Sequence, residues 1–268
     1  MNRPSRPVRV LASAVAVGSL LATGACANGG SASGKVSLSP AVERSPSPSA
    51  TPALTGAGAK AALITAADIE GDWTPANDAA TWRNTLLVDK VDVASFLKAK
   101  ADAADCQRLL DNLYSDSLLG RATGASALTG FTSPHARLLY QIGDYGQDSL
   151  TKSLAWLRTL PDKCSQFTAT GSDGSKRTVQ VVEASLPAAG DARQGITVTV
   201  HGTAHEEPTT LTVDVAAFRV GASGGTVTNG SPSGVEHTST ETAVREGARR
   251  LADVLAGRTP TANPSEFD

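Results

Sequence analysis

The sequence predicts an α+β fold: a twisted antiparallel sheet with helices packed mainly on one face. Three observations carry this. Apolar residues recur at helical spacing in the first half of the folding part and again at its end. Between these segments, from Ser165 onward, the apolar period switches to two. Turn sequences such as Gly171-Ser172-Asp173-Gly174 and Ala189-Gly190-Asp191 separate the alternating runs, as hairpins require.

Residues 1–25 precede that fold and have the tripartite pattern of an export signal. Arg3, Arg6 and Arg9 form a positive region, and Val10–Ala22 is an apolar run. The run is shorter than the roughly twenty residues a membrane-spanning helix needs. Thr23-Gly24-Ala25-Cys26 follows. This stretch resembles the lipobox of bacterial lipoproteins, in which the cysteine is alkylated by a diacylglyceryl group and becomes the new N-terminus. The lipobox favours a branched apolar residue where this chain has Thr23. Ordinary cleavage around Ala25 is the alternative. The expected address is the extracytoplasmic face of the cell membrane, with Cys26 as the lipidation site.

Residues 26–58 read as a Ser-, Pro- and Ala-rich tether, with Ser45-Pro46-Ser47-Pro48 as its densest part. Such a segment buries too little apolar surface to offset its ordering entropy. The domain is expected over 59–257 and a disordered tail over 258–268.

Within the domain, Lys60–Ile64 reads as a short helix, with a turn through Ile69 and a stop at Gly71-Asp72-Trp73. A helix is expected across Val93–Ala101. The next, around Asp105–Leu113, puts Cys106, Leu109, Leu110 and Leu113 on one face. Ser126–Phe131 and Ala136–Ile142 read as a hairpin. Asp148 is placed as the cap of a helix carrying Leu150, Leu154 and Leu157, with Pro161 as its stop. Strands are expected at Gln166–Thr170, Arg177–Ser185, Gly195–Gly202, Thr209–Val220 and Thr226–Asn229. A last helix covers Glu241–Leu255, with Thr238 and Glu241 as a capping box and Gly257 as its stop.

The chain has three cysteines, Cys26, Cys106 and Cys164. An exported protein folds in an oxidising compartment, so Cys106 and Cys164 are expected as a disulfide once Cys26 is assigned to lipid. A formal charge of −2 and 4% aromatic residues leave neither a basic footprint nor stacking platforms, so no nucleic-acid partner is expected.

The order Leu63-Ile64-Thr65-Ala66-Ala67-Asp68-Ile69-Glu70-Gly71-Asp72-Trp73, the Cys106 helix, then Leu138-Leu139-Tyr140-Gln141-Ile142-Gly143-Asp144-Tyr145, Cys164-Ser165-Gln166-Phe167 and a terminal helix with Arg249-Arg250-Leu251-Ala252 resembles the PknH-like extracellular sensor domain. That domain occurs at the outer end of an actinobacterial serine/threonine kinase and in stand-alone lipoproteins. The resemblance implies an antiparallel sheet with helices and a cleft for an unidentified ligand. The family pattern often carries two disulfides, whereas this chain has cysteines for one. The resemblance assigns no binding residues.

Several groups of residues have the side-chain types of candidate chemistry. His201-Gly202-Thr203-Ala204-His205-Glu206-Glu207 is the densest set of metal-ligand types, but it ends a strand, so the helical i, i+4 geometry fails and no metal is expected. Asp68, Glu70 and Asp72 near Trp73 read as a solvated turn. A Ser/His/Asp triad using His135 or His237 with Asp144 or Asp191 lacks a Gly-x-Ser-x-Gly elbow, and Gly221–Gly225 reads as a flexible loop without the Lys-Ser/Thr of a phosphate loop. Trp73, Trp82 and Trp156 are expected in packing. The reading is a non-catalytic, membrane-anchored domain that binds an unidentified small ligand or envelope protein, with no cofactor and no catalytic residues. A secreted hydrolase of wall or lipid is the alternative.

Overall fold

The computed structural model describes residues 53–69, 71–84, 87–88, 91–92, 96–204, 206–232 and 234–261. Cys26 and the expected export signal, the expected tether up to residue 52, Glu70, residues 93–95 of the expected helix, His205 and the expected tail from residue 262 lie outside the described residues.

The period-two region forms the sheet. Strands β1 (Thr74–Ala76), β4 (Ala99–Ala101), β5 (Ser126–Thr132), β6 (Arg137–Asp144), β7 (Gln166–Gly171), β8 (Lys176–Ala184), β9 (Ala192–Ala204), β10 (Glu207–Val220) and β11 (Ser223–Ser231) make one open nine-stranded sheet. Its order is β1-β5-β6-β11-β10-β9-β8-β7-β4, with every pair antiparallel. Strands β2 (Leu87–Val88) and β3 (Val91–Asp92) form a separate small ladder. Among the helices whose full span is described, four α-helices accompany the sheet: α1 (Gly56–Ala61), α2 (Ala104–Tyr114), α3 (Gln147–Lys163) and α4 (His237–Leu255). The class is α+β.

Side-chain parity along β10 shows how the helices are distributed. Leu211, Val213, Val215 and Ala217 enter a core built with α2 and α3. Ala216 and Phe218, on the opposite face, enter a second core built with α1 and α4. The helices are therefore shared between both faces, not gathered mainly on one. The same alternation sends Val179, Val181, Ile196, Val198 and Val200 toward α2 and α3.

Several expected boundaries shift, each for a local reason. The folded unit starts ahead of Ala59: Leu54 is buried, and the Thr55 hydroxyl caps α1 by accepting the Gly58 N–H at 3.0 Å. It also continues past 257, because the Thr261 carbonyl accepts from Arg249 at 3.1 Å and from Arg250 at 3.4 Å. Ala99–Ala101, expected as helix, pairs with β7 in the register Ala99↔Gly171. Three residues of good helix propensity yield there to a strand edge that needs a partner.

Helix α3 is entered through Gly146 at φ 79°, with Asp148 in the first turn and not at the cap. It also runs through Pro161 to Lys163, and the Cys164 N–H reaches the Leu160 carbonyl at 2.7 Å. So late in a helix, proline removes one bond, and burial of Leu160 and Cys164 holds the last turn. Helix α4 begins at His237 behind Glu236, without the expected Thr238 cap. Tertiary bonds of His237, described below, fix that first turn.

The Gly221–Gly225 segment is a hairpin and not a loose loop. Gly221 at φ 62° and Ala222 turn β10 into β11, with Val220 facing Ser223. Gly224 and Gly225 are strand residues pressed on Phe218: a Cβ on Gly225 would meet the ring at 2.7 Å.

Candidate functional site

A cleft of about 860 Å³ opens on the α2 and α3 side of β5 and β6. Its geometry starts with the segment that joins α2 to β5. Leu118 and Leu119 are buried in the core, so residues 115–122 are pulled down against α3, where the Ser153 hydroxyl donates to the Leu119 carbonyl at 3.3 Å. The turn closes with Ser117 N–H to Asn112 O at 3.0 Å and Gly120 N–H to Ser117 O at 2.8 Å. Asp116 adopts φ 49° and Gly120 φ 89°, left-handed conformations that reverse the chain twice in five residues. The apolar pair faces inward, and the polar residues around it form one wall of the cleft.

Gln141 and Ser126 contribute the sheet wall, and the Gln141 amide donates to the Asp116 carbonyl at 3.4 Å across the cleft. Arg108, from the outer side of α2, reaches the rim with its guanidinium 4.0 Å above the Trp156 ring. Trp156 is fixed in turn: its indole N–H donates to Asp105 Oδ1 at 3.1 Å, and Lys163 holds the other carboxylate oxygen at 2.7 Å. The Lys163 hydrogen bond is the largest influence on Asp105 and holds its carboxyl below the ordinary range, against a smaller opposing effect of desolvation. Arg121 and Tyr145 complete the lining.

A second polar cluster lies on the other face, at the start of α4. His237 Nδ1 is 2.6 Å from Asp214 Oδ2, and its Nε2 is 2.8 Å from the Ser185 carbonyl and 3.6 Å from Glu241 Oε1. Asp214 is 1% exposed and also accepts from Thr197 at 2.6 Å. Burial alone lowers the His237 pKa. The hydrogen bonds to Asp214 and Ser185, with the charges of Asp214 and Glu241, outweigh that and raise it above the ordinary histidine value. Both ring nitrogens face acceptors, so the protonated imidazolium is the form that satisfies both. A general base needs a free nitrogen toward its nucleophile, and here that nitrogen is engaged by a backbone carbonyl.

The other sequence candidates separate. His135 is exposed in the β5–β6 loop, at the opposite end of β6 from Asp144. Asp191 accepts the Gly221 N–H at 2.7 Å beside the β10–β11 turn. His201 stands in β9 and pairs with the Thr210 hydroxyl at 2.9 Å, while Glu206 at φ 67° lies in the β9–β10 turn. Among the described residues no three His, Cys, Asp or Glu side chains gather into a metal-binding group. Asp68 is buried, not a solvated member of an acidic turn: it accepts the Thr65 N–H at 2.8 Å and hydroxyl at 2.9 Å and lies 3.4 Å from Arg250. Trp82 and Trp156 are buried, and Trp73 donates to Ser239 at 3.3 Å. Cys106 and Cys164 are joined in a disulfide that ties α2 to the end of α3.

The sequence pattern does not mark the cleft residues Arg108, Asn112, Asp116, Arg121 and Gln141. They come from a helix, its exit turn and a strand, so no contiguous motif marks them. The one local signal is the Ser115-Asp116-Ser117 turn chemistry directly after a helix.

The arrangement is an antiparallel α+β domain with a polar cleft on one sheet face. No family model matches the chain, and no curated protein matches it. Among solved structures it is similar to the crystal structure of the extracellular domain of PknH from Mycobacterium tuberculosis, at 11% identity and a TM-score of 0.40, covering 78% of this chain and 100% of that one.

Proposed function

We propose that this chain is an extracytoplasmic lipoprotein, held at the cell membrane by a diacylglyceryl group on Cys26, whose domain binds a polar ligand without transforming it. The observation that carries the binding reading is the cleft between the α2 exit turn and β5–β6. Its volume of about 860 Å³ lies within the range of small-molecule sites, and its lining is rich in Arg, Asn, Ser and Gln side chains. Such a lining suits an envelope saccharide or wall fragment and not a lipid chain. The anchor reading rests on the export signal and on Cys26 as the odd cysteine. No helix among the described residues is long and apolar enough to cross a membrane. The hydrolase alternative draws no support from His237, whose second nitrogen is spent on the Ser185 carbonyl.

Two experiments test this. Cys26→Ser should move the protein from the membrane pellet to the soluble exported fraction; retention in the pellet removes the anchor reading. Solubilised wall saccharides should raise the melting temperature of the full chain with concentration. Ser126→Trp, which fills the cleft from an exposed rim position, should abolish the shift. A shift that survives Ser126→Trp puts the ligand elsewhere.

A further inference from the structure

Arg108 is held at the rim of the cleft. Its guanidinium carbon lies 4.0 Å from the centre of the Trp156 ring, and that ring is held by Asp105. Asp105, one helical turn back, feels the charge of Arg108, but its two oxygens are hydrogen-bonded to Trp156 at 3.1 Å and Lys163 at 2.7 Å and not to the guanidinium. Among the described residues no carboxylate forms an ion pair with Arg108 or with Arg121, and both line the same cleft. Among the described residues of the lining, Asp116 is the single acidic side chain beside the two guanidinium groups of Arg108 and Arg121. A stacked guanidinium has its fork of N–H donors pre-oriented and unspent, the geometry that grips a carboxylate or phosphate bidentately. Asn112, Ser117 and Gln141 supply neutral donors and acceptors deeper in, suited to hydroxyl and amide groups of the same ligand.

We propose that the cleft selects an anionic saccharide, with Arg108 holding its carboxylate or phosphate. This rests on the cleft being the binding site and names the class of ligand it takes.

The test is calorimetric titration of the full chain at low salt with three sugars that share one ring: N-acetylglucosamine, N-acetylmuramic acid and N-acetylglucosamine 6-phosphate. The acids should bind at least about tenfold tighter than the neutral sugar, a difference that added salt erodes. Arg108→Ala should remove that advantage, the acids falling to about the affinity of the neutral sugar in the same variant. Arg108→Lys should recover only part, since an ammonium gives one point charge and no fork. Arg108 is exposed, so neither variant threatens the core. Preference for muramic acid assigns a carboxylate, and preference for the 6-phosphate assigns a phosphate; each supports the proposal. Equal binding of all three, lost in Ser126→Trp, keeps the cleft as a sugar site and overturns anion selection. Acids that keep their advantage in Arg108→Ala overturn the role of Arg108. Binding of none of the three overturns both.

Discussion

His237 Nδ1 and Asp214 Oδ2 meet at 2.6 Å across the junction of α4 and β10, and the same ring reaches the Ser185 carbonyl beyond the end of β8. One imidazolium thus fastens a helix start to two strands. Its pKa in the folded state is raised above the unfolded value of about 6.5. A raised pKa means that the stabilisation is complete below the unfolded pKa and is lost as pH rises through the folded one. The stability advantage of the native chain over His237→Gln should therefore be larger at about pH 6 than at about pH 8.5, measured by urea unfolding. Asp214→Asn, which removes the main upward influence, should flatten the same dependence. An advantage that grows with pH would contradict the assignment.

Gly247 sits in α4 where a Cβ would lie 2.6 Å from the Tyr140 hydroxyl and 2.7 Å from its Cε2. Glycine to alanine inside an exposed helix ordinarily gains about 1 kcal/mol. Here overpacking should reverse the sign, and Gly247→Ala should destabilise by about 1–3 kcal/mol. The Tyr140 hydroxyl is buried and has no hydrogen-bond partner among the described residues. Tyr140→Phe should accordingly be neutral or stabilising, and in the double variant it should recover only part of the loss, since the ring carbons stay. Thermal unfolding of the three variants reads all of this.

These two relationships also show where sequence reading stops. Cys106, Leu109, Leu110 and Leu113 announced α2 because one element's period records its own buried face. The valines of β8 and β9 did the same for the sheet. His237 with Asp214, Gly247 with Tyr140, and Arg108 with Trp156 are pairings between elements, and no period encodes them. The Thr238–Glu241 capping signal was local and lost to the His237 contacts one residue earlier. Ala99–Ala101, the end of the helix expected over Val93–Ala101, is decided by pairing with β7. The split of helices between faces was hidden because Val215 and Ala216 are both apolar: β10 is buried on both sides and no longer alternates.

The Cys106–Cys164 disulfide closes a loop with a sequence separation of 58 and links α2 to α3 within the core that also supports the Arg108–Trp156 stack. On the chain-entropy model such a loop contributes about 4 kcal/mol. Reduction, or the Cys106→Ala/Cys164→Ala pair, should lower the unfolding free energy toward that amount, and mass spectrometry without reductant should find both residues in one linked peptide pair. Two free thiols would reject the linkage.

Asp68 and Arg250 form the corner that holds α1 and its following turn to α4. The Asp68 carboxylate is 1% exposed, accepts two bonds from Thr65 and lies 3.4 Å from the Arg250 guanidinium. Arg250 also donates to the Ala61 carbonyl at 3.3 Å, at the end of α1. Removing one partner leaves the other charge buried without compensation, which typically costs about 3–5 kcal/mol. Asp68→Ala should therefore be among the more damaging single substitutions, and Asp68→Asn should retain part of the Thr65 bonding while losing the ion pair. The two helices it joins are far in sequence from the cleft. Asp68→Asn should thus lower the melting temperature while leaving saccharide affinity at 25 °C unchanged, provided the chain stays folded. Equal loss of affinity and stability would mean that the two faces of the sheet are coupled.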